Sequence, residues 1–578
     1  MITLTHLNRM SGDEFVASVG PLFEHSPWVA ERAAALRPFA SALGLHRTMC
    51  DALMQASADE QLALIRAHPE LAGRAALKGG LTAASTGEQK GAGLSACTAQ
   101  QLQRLQSLNS EYRSRFGFPF VLAVKGHTPD SVIAALAERV THDLNEERQV
   151  ALREICRIAR FRVADLVDEP LGQAIMAMAE DLATLSETDD ALTCSYLTPT
   201  HRATAARIRD YMLAAGLTAH IDAVGNVVGR LDGDGRSHQR VLTGSHYDTV
   251  INAGKYDGRL GVVLPIAVAG WLRRSGVKLA YPLEILGFAE EEGVRFKSTF
   301  LGSRAIAGRF DPTVLDSLDA AGVTLREAIL AAGHDVAAIP AIARNPADVA
   351  CFVEVHIEQG PVLLAASEPV GVVTRIAGSL RSMVTITGMS GHAGTVPMSL
   401  RHDAAAAAAE IVLAVERRCS AQPGVVGTVG KLEVPGGAVN VIPGRCDLSI
   451  DIRSGEDALR DAADADIRAE IQRIATRRGV SATQVRVLDA ASVACTPALQ
   501  EAWAASALRV TGREAPRLAS GAGHDAMMMA SLTGIGMLFV RCGNGGISHH
   551  PQESMSADDA DVAARVLVDF LQHVQSPA

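Results

Sequence analysis

Aromatic residues make up only 4% of this 578-residue chain, so aromatic stacking surfaces are scarce. Positive charge is in deficit too. Lys and Arg number 54 against 64 Asp and Glu, a net charge of −10, which argues against nucleic acid or an anionic membrane as the main partner. The nine cysteines are scattered from Cys50 to Cys542, odd in number and without a C-x-x-C pair. That pattern points to isolated reduced thiols and a cytoplasmic location rather than to a disulfide framework. No apolar run is long enough to span a bilayer, and the strongest, "LGVVLPIAVAGWL" (260–272), fits a buried helix. The first twenty residues lack the basic patch and apolar core of a signal peptide. Internal repeats and low-complexity tracts are also missing, apart from the Ala-rich run 403–409, a good helix former.

What is present has three grammars. The length predicts about three to five domains or subdomains. Up to residue 167 the apolar spacing is helical, as in Leu102, Leu105, Leu108, Tyr112 and Phe116, and no strand alternation stands out. "DEPLG" (168–172) reads as a boundary. After residue 195, short apolar runs end in polar loops and alternate with helical patterns, the mark of an α/β sheet whose ligands sit beyond the strand ends. Residues 377–490 interrupt it with a β-α-β-β-α-β order: strand near 379–388, helix 402–419, strands 425–434 and 446–453, helix 456–478 and strand 484–490. The organisation expected is an all-α unit over 1–167, an α/β unit over 172–376 and 491–578, and an inserted α+β unit over 377–490.

Candidate chemistry gathers at the strand ends. In "TGSHYDTVINAGKYDGRLG" (243–261), His246 and Asp248 project two residues apart, so the carboxylate can orient the imidazole. Asp257 precedes a helix expected from Leu260, and taken alone it reads better as a helix cap than as a ligand. "GFAEEEGVRF" sets Glu290, Glu291 and Glu292 after an apolar run; a charge run is usually solvated, but this one follows a strand that looks buried. His356 closes the strand in "VEVHIEQGPVL", and His549 and His550 lie in "GNGGISHHPQESMS". Together, His246, Asp257, Glu292, His356 and His549 offer nitrogen and carboxylate donors to a pair of borderline cations.

In this order the motifs "GSHYDTV", "GKYDGRLG", "FAEEEGVRF", "VEVHIEQGP", "SGHAGTVPM" and "GISHHPQE" resemble those of the dinuclear metal amidohydrolases. That family includes allantoate amidohydrolase, N-carbamoyl-L-amino-acid hydrolase and β-ureidopropionase. The resemblance covers residues 172–578 and implies a catalytic domain with two divalent ions, Mn²⁺ or Zn²⁺, and a lid or dimerisation domain that makes a homodimer. It implies that His246, Asp257, Glu292, His356 and His549 are ligands, with Asp257 bridging. Glu291 would be the general base, and Asp248 the residue behind His246. His392 would stabilise an oxyanion from across the dimer. Asn440 and Arg453 would bind a substrate carboxylate, which a guanidinium grips with two hydrogen bonds. Gln359 and His524 would contact the rest of the substrate.

In the helical half, His68 stands before Pro69, where a helix should end, and Glu88 and Gln89 precede a Gly-rich turn. From spacing alone, His68 is a helix-terminal residue and Glu88 a solvated loop residue. Ile155, Ile158, Arg162 and Leu166 follow 3-4-4 spacing, which puts Arg162 on an apolar stripe where it needs an anion, either a substrate carboxylate or a buried Asp or Glu. Arg153, Arg157 and Arg160 form a separate basic face, most simply solvated. The motifs "LFEHSPW", "HPELAG", "GEQ" and "RFGFPFV" resemble 2-oxo-4-hydroxy-4-carboxy-5-ureidoimidazoline (OHCU) decarboxylase over residues 5–167. The resemblance implies a cofactor-free all-α enzyme in which His68 is catalytic and Glu88, Gln89 and Arg162 hold the substrate, with His25 and Phe118 unranked.

The two resemblances fit one route. OHCU decarboxylation yields (S)-allantoin, and allantoate lies one ring-opening further on. The expected protein is a bifunctional purine-catabolic enzyme acting on small ureido molecules and releasing ureidoglycine, ammonia and CO2 from allantoate. The alternatives are an N-carbamoyl-L-amino-acid hydrolase, ureidoglycolate amidohydrolase or β-ureidopropionase joined to a non-catalytic helical module.

Overall fold

The computed structural model describes residues 1–71 and 82–575. Its N-terminal part is a helical bundle around one core that includes Phe15, Leu45, Leu105, Tyr112 and Ile155. Local signals set the helix ends. Ser57 and Glu60 form a reciprocal cap on Ala58–Ala67, and Asp143 caps Leu144–Leu166. Near its end the helical spacing that runs to residue 167 resolves into two helices, Pro129–Arg139 and Leu144–Leu166. One departure from all-α is the parallel pairing of Ile2–Thr3 with Val167–Asp168, two residues each.

The second part is built on a nine-stranded sheet. Its strands are β1 (Thr218–Ile221), β2 (Val227–Leu231), β3 (Arg240–His246), β4 (Leu283–Phe288), β5 (Val349–Ile357), β6 (Val370–Ile376), β7 (Val493–Ala494), β8 (Arg517–Ser520) and β9 (Ile535–Val540). The order is β7-β6-β9-β5-β3-β4-β2-β1, with β8 also paired to β6. β4 and β5 are buried along their whole length, as interior strands covered on both faces must be. Period-2 alternation splits neighbours between two cores, so Val241 packs on one face and Leu242 on the other. β3, β4, β5 and β9 run parallel, with His246 opposite Phe288 and Phe539 opposite His356. Their carboxyl ends therefore open onto one edge.

Between β6 and β7, residues 378–490 form a separate antiparallel sheet in the order Val425–Thr428, Arg445–Ser454, Gly378–Thr387, Ser481–Ala490. Helices Ala404–Ser420 and Asp457–Arg478 share its core, with Ile411, Ile467 and Ile474 against Val384 and Leu448. The main strands and helices follow the predicted order, but the strand expected over 425–434 is split into Val425–Thr428 and Leu432–Glu433, and Gly391–His392 pairs with Val441–Ile442 as a further two-stranded sheet.

The helical bundle and the large-sheet unit share an interface. Arg157 makes two hydrogen bonds to Asp210 at 2.7 and 2.9 Å, and Arg160 lies 5.3 Å over the Tyr211 ring. Arg153 alone of that basic face is exposed. The expectation of a solvated face is thus corrected. Periodicity cannot distinguish a face turned to water from one turned to another unit's carboxylates.

Candidate functional site

β3 delivers His246, and a carbonyl fixes its ring: Nδ1 donates to the Asp248 main-chain oxygen at 3.1 Å. That leaves Nε2 as the lone-pair nitrogen, 3.7 Å from Asp257 Oδ1. β5 delivers His356 in the same manner. Its Nδ1 donates to the Ile357 carbonyl at 2.9 Å, and Nε2 lies 3.3 Å from the same Asp257 oxygen. The other Asp257 oxygen, Oδ2, is 3.0 Å from His549 Nε2, and that nitrogen is 3.6 Å from Glu292 Oε1. Asp257 is therefore shared by two donor groups, His246–Asp257–His356 and Asp257–Glu292–His549. It does not cap the following helix, whose N-cap position is held by Arg259 with no side-chain cap hydrogen bond.

Asp248 stands behind His246 and has a further task. Its carboxylate is 3.4 Å from His246 Nδ1 and also accepts the backbone N–H groups of Glu291 and Glu292, each at 3.1 Å. It positions the acidic loop as well as the histidine. That loop is not a solvated turn, since Glu290 is fully buried. Glu291 stands beside His246 and Glu292 in a third donor group.

Sequence reasoning missed several carboxylates here. Glu354 accepts from Ser245 Oγ at 2.7 Å and the Ala526 N–H at 3.0 Å, and it groups with His356 and His524. Its spacing of two from His356 on one strand was the available signal. Asp525 is fully buried beside His524, and Glu553 accepts the Tyr256 and Asp257 N–H groups at 2.8 and 3.2 Å. Gln359 donates to Asp257 Oδ2 at 2.9 Å, and the His524 and His356 rings lie 4.5 Å apart. Both expected substrate contacts thus adjoin the donor groups.

The electrostatics test whether cations fit. Asp248, Asp257, Glu290, Glu354, Asp525 and Glu553 are buried together. Among the described residues Asp248 and Asp257 form ion pairs with histidines alone, and the other four form none with Lys or Arg. Burial pushes Glu291 well above the ordinary carboxylate range and Glu292 up to about 7, with neighbouring carboxylates adding to the shift and His246 opposing it. So much buried negative charge needs compensation, and nitrogen and oxygen donors around a shared aspartate suit two divalent cations.

His392, Asn440 and Arg453 lie on the inserted unit. His392 pairs with Val441, the Ala393 N–H donates to the Asn440 carbonyl at 2.9 Å, and no hydrogen bond or ion pair joins these residues to the donor groups among the described residues. Arg453 is gripped by Asp451 at 3.0 and 3.1 Å and reaches the Gly521 carbonyl at 2.8 Å.

The helical unit has its own cluster. His68 is buried at the end of Ala58–Ala67, and its Nδ1 donates to the Leu64 carbonyl at 3.0 Å. Burial draws its pKa down to about 4, with the charges of Glu24 and Arg162 felt nearby. Arg162 finds its anion in two carboxylates, Glu88 at 2.8 and 3.0 Å and Glu24 at 3.0 Å. Glu24, in the "LFEHSPW" motif, also accepts from Ser85 at 2.5 Å and Thr82 at 3.0 Å. Glu88 and buried Gln89 belong to helix Ala83–Gly91, a correction to the loop expected from the nearby glycines. Ala72 and Gly73 of "HPELAG" lie outside the described residues.

Comparison with known proteins agrees with this division. Residues 8–164 match the family described as OHCU decarboxylase, and residues 216–573 match Peptidase family M20/M25/M40. Allantoate deiminase from Arabidopsis thaliana is 39% identical over 438 residues, covering 71% of this chain and 83% of that protein. N-carbamoyl-L-amino acid amidohydrolase from Geobacillus stearothermophilus is 41% identical over 360 residues, covering 62% and 88%. Among solved structures, an amidase of the hydantoinase/carbamoylase family from Burkholderia multivorans aligns with a TM-score of 0.65 at 32% identity, over 69% of this chain and 97% of its own.

Proposed function

The chain belongs to the M20/M25/M40 peptidase family and carries an OHCU decarboxylase domain ahead of it, and from that premise we propose that it converts OHCU to (S)-allantoin and hydrolyses allantoate. It is a bifunctional enzyme of purine catabolism, with decarboxylase and amidohydrolase halves. The fusion itself carries the choice of allantoate, since the product of the first reaction lies one ring-opening from it. Overall similarity does not make the choice, because the deiminase and carbamoylase relatives are about equally close.

In the hydrolytic half, His246, Asp257, Glu292, His356 and His549 would hold two ions, Mn²⁺ or Zn²⁺, with Asp257 presenting an oxygen to each side. Such ions supply Lewis acidity toward a ureido carbonyl and acidify water. Glu291 takes a proton from the attacking water and passes it to the leaving nitrogen. Breaking the carbonyl–NH2 bond releases ammonia and leaves a carbamate, whose loss of CO2 gives ureidoglycine. Asn440 and Arg453 bind the substrate carboxylate and His392 supports the oxyanion when the 377–490 unit serves as lid and dimer contact. The exposed Val426 and Val487 on that unit support the dimer. In the other half, His68 keeps its Nδ1 hydrogen on Leu64, so Nε2 is the nitrogen that accepts a proton and returns it to one face of the ring after CO2 leaves. We place the enzyme in the cytoplasm, in keeping with nine unpaired cysteines.

Ammonia release by Mn²⁺- and Zn²⁺-loaded protein, compared across allantoate, N-carbamoyl amino acids, β-ureidopropionate and ureidoglycolate, tests the hydrolytic reading. Preferred turnover of allantoate is expected, and its absence would sink the assignment. For the helical half, His68→Ala should abolish stereospecific (S)-allantoin formation. Unchanged formation would make that half a scaffold.

A further inference from the structure

The two halves meet around a cavity of about 120 Å³ that neither proposed reaction uses. Its walls are mostly alanine and aliphatic side chains, and its polar lining comes from His46, Arg160, Glu169, Tyr211 and Arg274. Arg160 Nη1 and Arg274 Nε are buried there without a hydrogen-bond partner among the described residues. The nearby carboxylates make no hydrogen bond to these two nitrogens, although the charges of Asp168, Glu169 and Asp165 reach Arg274. Asp181 is held by Arg47, Arg207 and Tyr211, and Glu169 accepts the Ala42 N–H at 2.8 Å. His46 brings no free donor, because its Nε2 is spent on the Cys156 carbonyl at 2.7 Å. A buried guanidinium nitrogen without an acceptor is costly, and two on one cavity call for an anion.

We propose that this cavity binds a small monocarboxylate, its carboxylate held by Arg160 and Arg274 and its short apolar body against the alanine walls. The volume suits such a molecule, since a cavity of about 150 Å³ can hold benzene. The position gives binding a route to both reactions. Arg274 ends the helix Leu260–Arg274, which starts just after Asp257, and Arg160 stands two residues before Arg162 on Leu144–Leu166.

Isothermal titration of the full chain with sodium propionate tests the site. Heat is read in metal-free and metal-loaded protein, so the result does not depend on the proposed hydrolysis. The expected result is saturable binding, weakened about tenfold or more by Arg160→Gln or Arg274→Gln, as loss of a charge-assisted contact requires. Ala164→Leu, which fills the cavity and keeps both charges, should weaken it as well and serves if an arginine variant fails to fold. Arg153→Gln, at an exposed position, should change nothing. No saturable heat, or heat undiminished in the three cavity variants, overturns the site. Inorganic phosphate binding more tightly than propionate, with the same sensitivity to the variants, overturns the monocarboxylate assignment.

Discussion

Asp248 holds Glu292 through the backbone: its Oδ2 accepts the Glu292 N–H at 3.1 Å, while Oδ1 accepts the Glu291 N–H at the same distance. One carboxylate thereby ties the end of β3 to the acidic loop after β4. An asparagine there offers one acceptor and one donor, so one N–H must face an amide NH2. Asp248→Asn should cost about 10–100-fold in metal affinity or hydrolysis, the usual toll for a residue that orients ligands. Metal titration and ammonia release measure it, and decarboxylation should be untouched.

Glu291→Gln separates a base from a ligand. The substitution keeps the shape and removes the proton acceptor, so hydrolysis should fall about 10²–10⁴-fold. Elemental analysis should still find two ions per chain. Loss of one ion would make Glu291 a ligand and return the base role to another residue.

His68 sets the acid limb of decarboxylation. Its pKa in the fold is drawn to about 4 by burial, against an ordinary value of 6.5. The ring is therefore neutral from pH 8 down to the region of pH 4, and kcat/KM should show no decline near pH 6.5 from this group. The stability sign follows: the unfolded chain binds the proton first, so His68 contributes fully above pH 6.5 and that contribution is lost as pH falls toward 4. A pH–rate profile with its acid limb at 6.5 would contradict this.

Much of this architecture is legible in the sequence because the pattern is local. The order of elements over 378–490 follows from alternation and helical spacing, and His246 and His356 are readable as strand ends. What stays hidden is set by distant partners. Asp257 reads as a cap until β5 and the 549 loop bring two more imidazoles to it. Glu24, 138 residues from Arg162, has no local sign of its role. Arg157 and Arg160 look solvated because the helix that covers them, Pro199–Ala215, belongs to the other half.

The joint between the halves should be worth measuring in free energy. Arg157 and Asp210 are largely buried, with side chains 15% and 16% exposed, and they share two charge-assisted hydrogen bonds. Asp210→Ala removes both of these hydrogen bonds, leaving the guanidinium only its longer pair with Glu154 at 3.7 Å, and should cost about 1–3 kcal/mol in unfolding of the joined halves. Arg32→Ala, which breaks a pair 43% and 38% exposed, should cost about 0–1 kcal/mol. A double-mutant cycle on Arg157 and Asp210 isolates the pair. Coupling no larger than at Arg32 would mean that apolar packing alone joins the halves.

Chelation should reveal the charge stored at the strand ends. Without cations, burial raises Glu290 and Glu291 well above the ordinary range and Glu292 to about 7, so the folded cluster holds protons that an unfolded chain releases near 4.5. A raised carboxyl contributes stability below its unfolded pKa, and that contribution is lost as pH rises through the folded value. The chelated protein should therefore melt at lower temperature at pH 8 than at pH 5.5. Added Mn²⁺ or Zn²⁺ should restore most stability at pH 8 and release protons into weak buffer. At 100 times the dissociation constant the gain is about 2.7 kcal/mol. Hydrolysis should vanish on chelation, whereas decarboxylation at His68 should persist. Metal binding without proton release at pH 6 would show that these carboxyls are already ionised and that something other than a cation balances them.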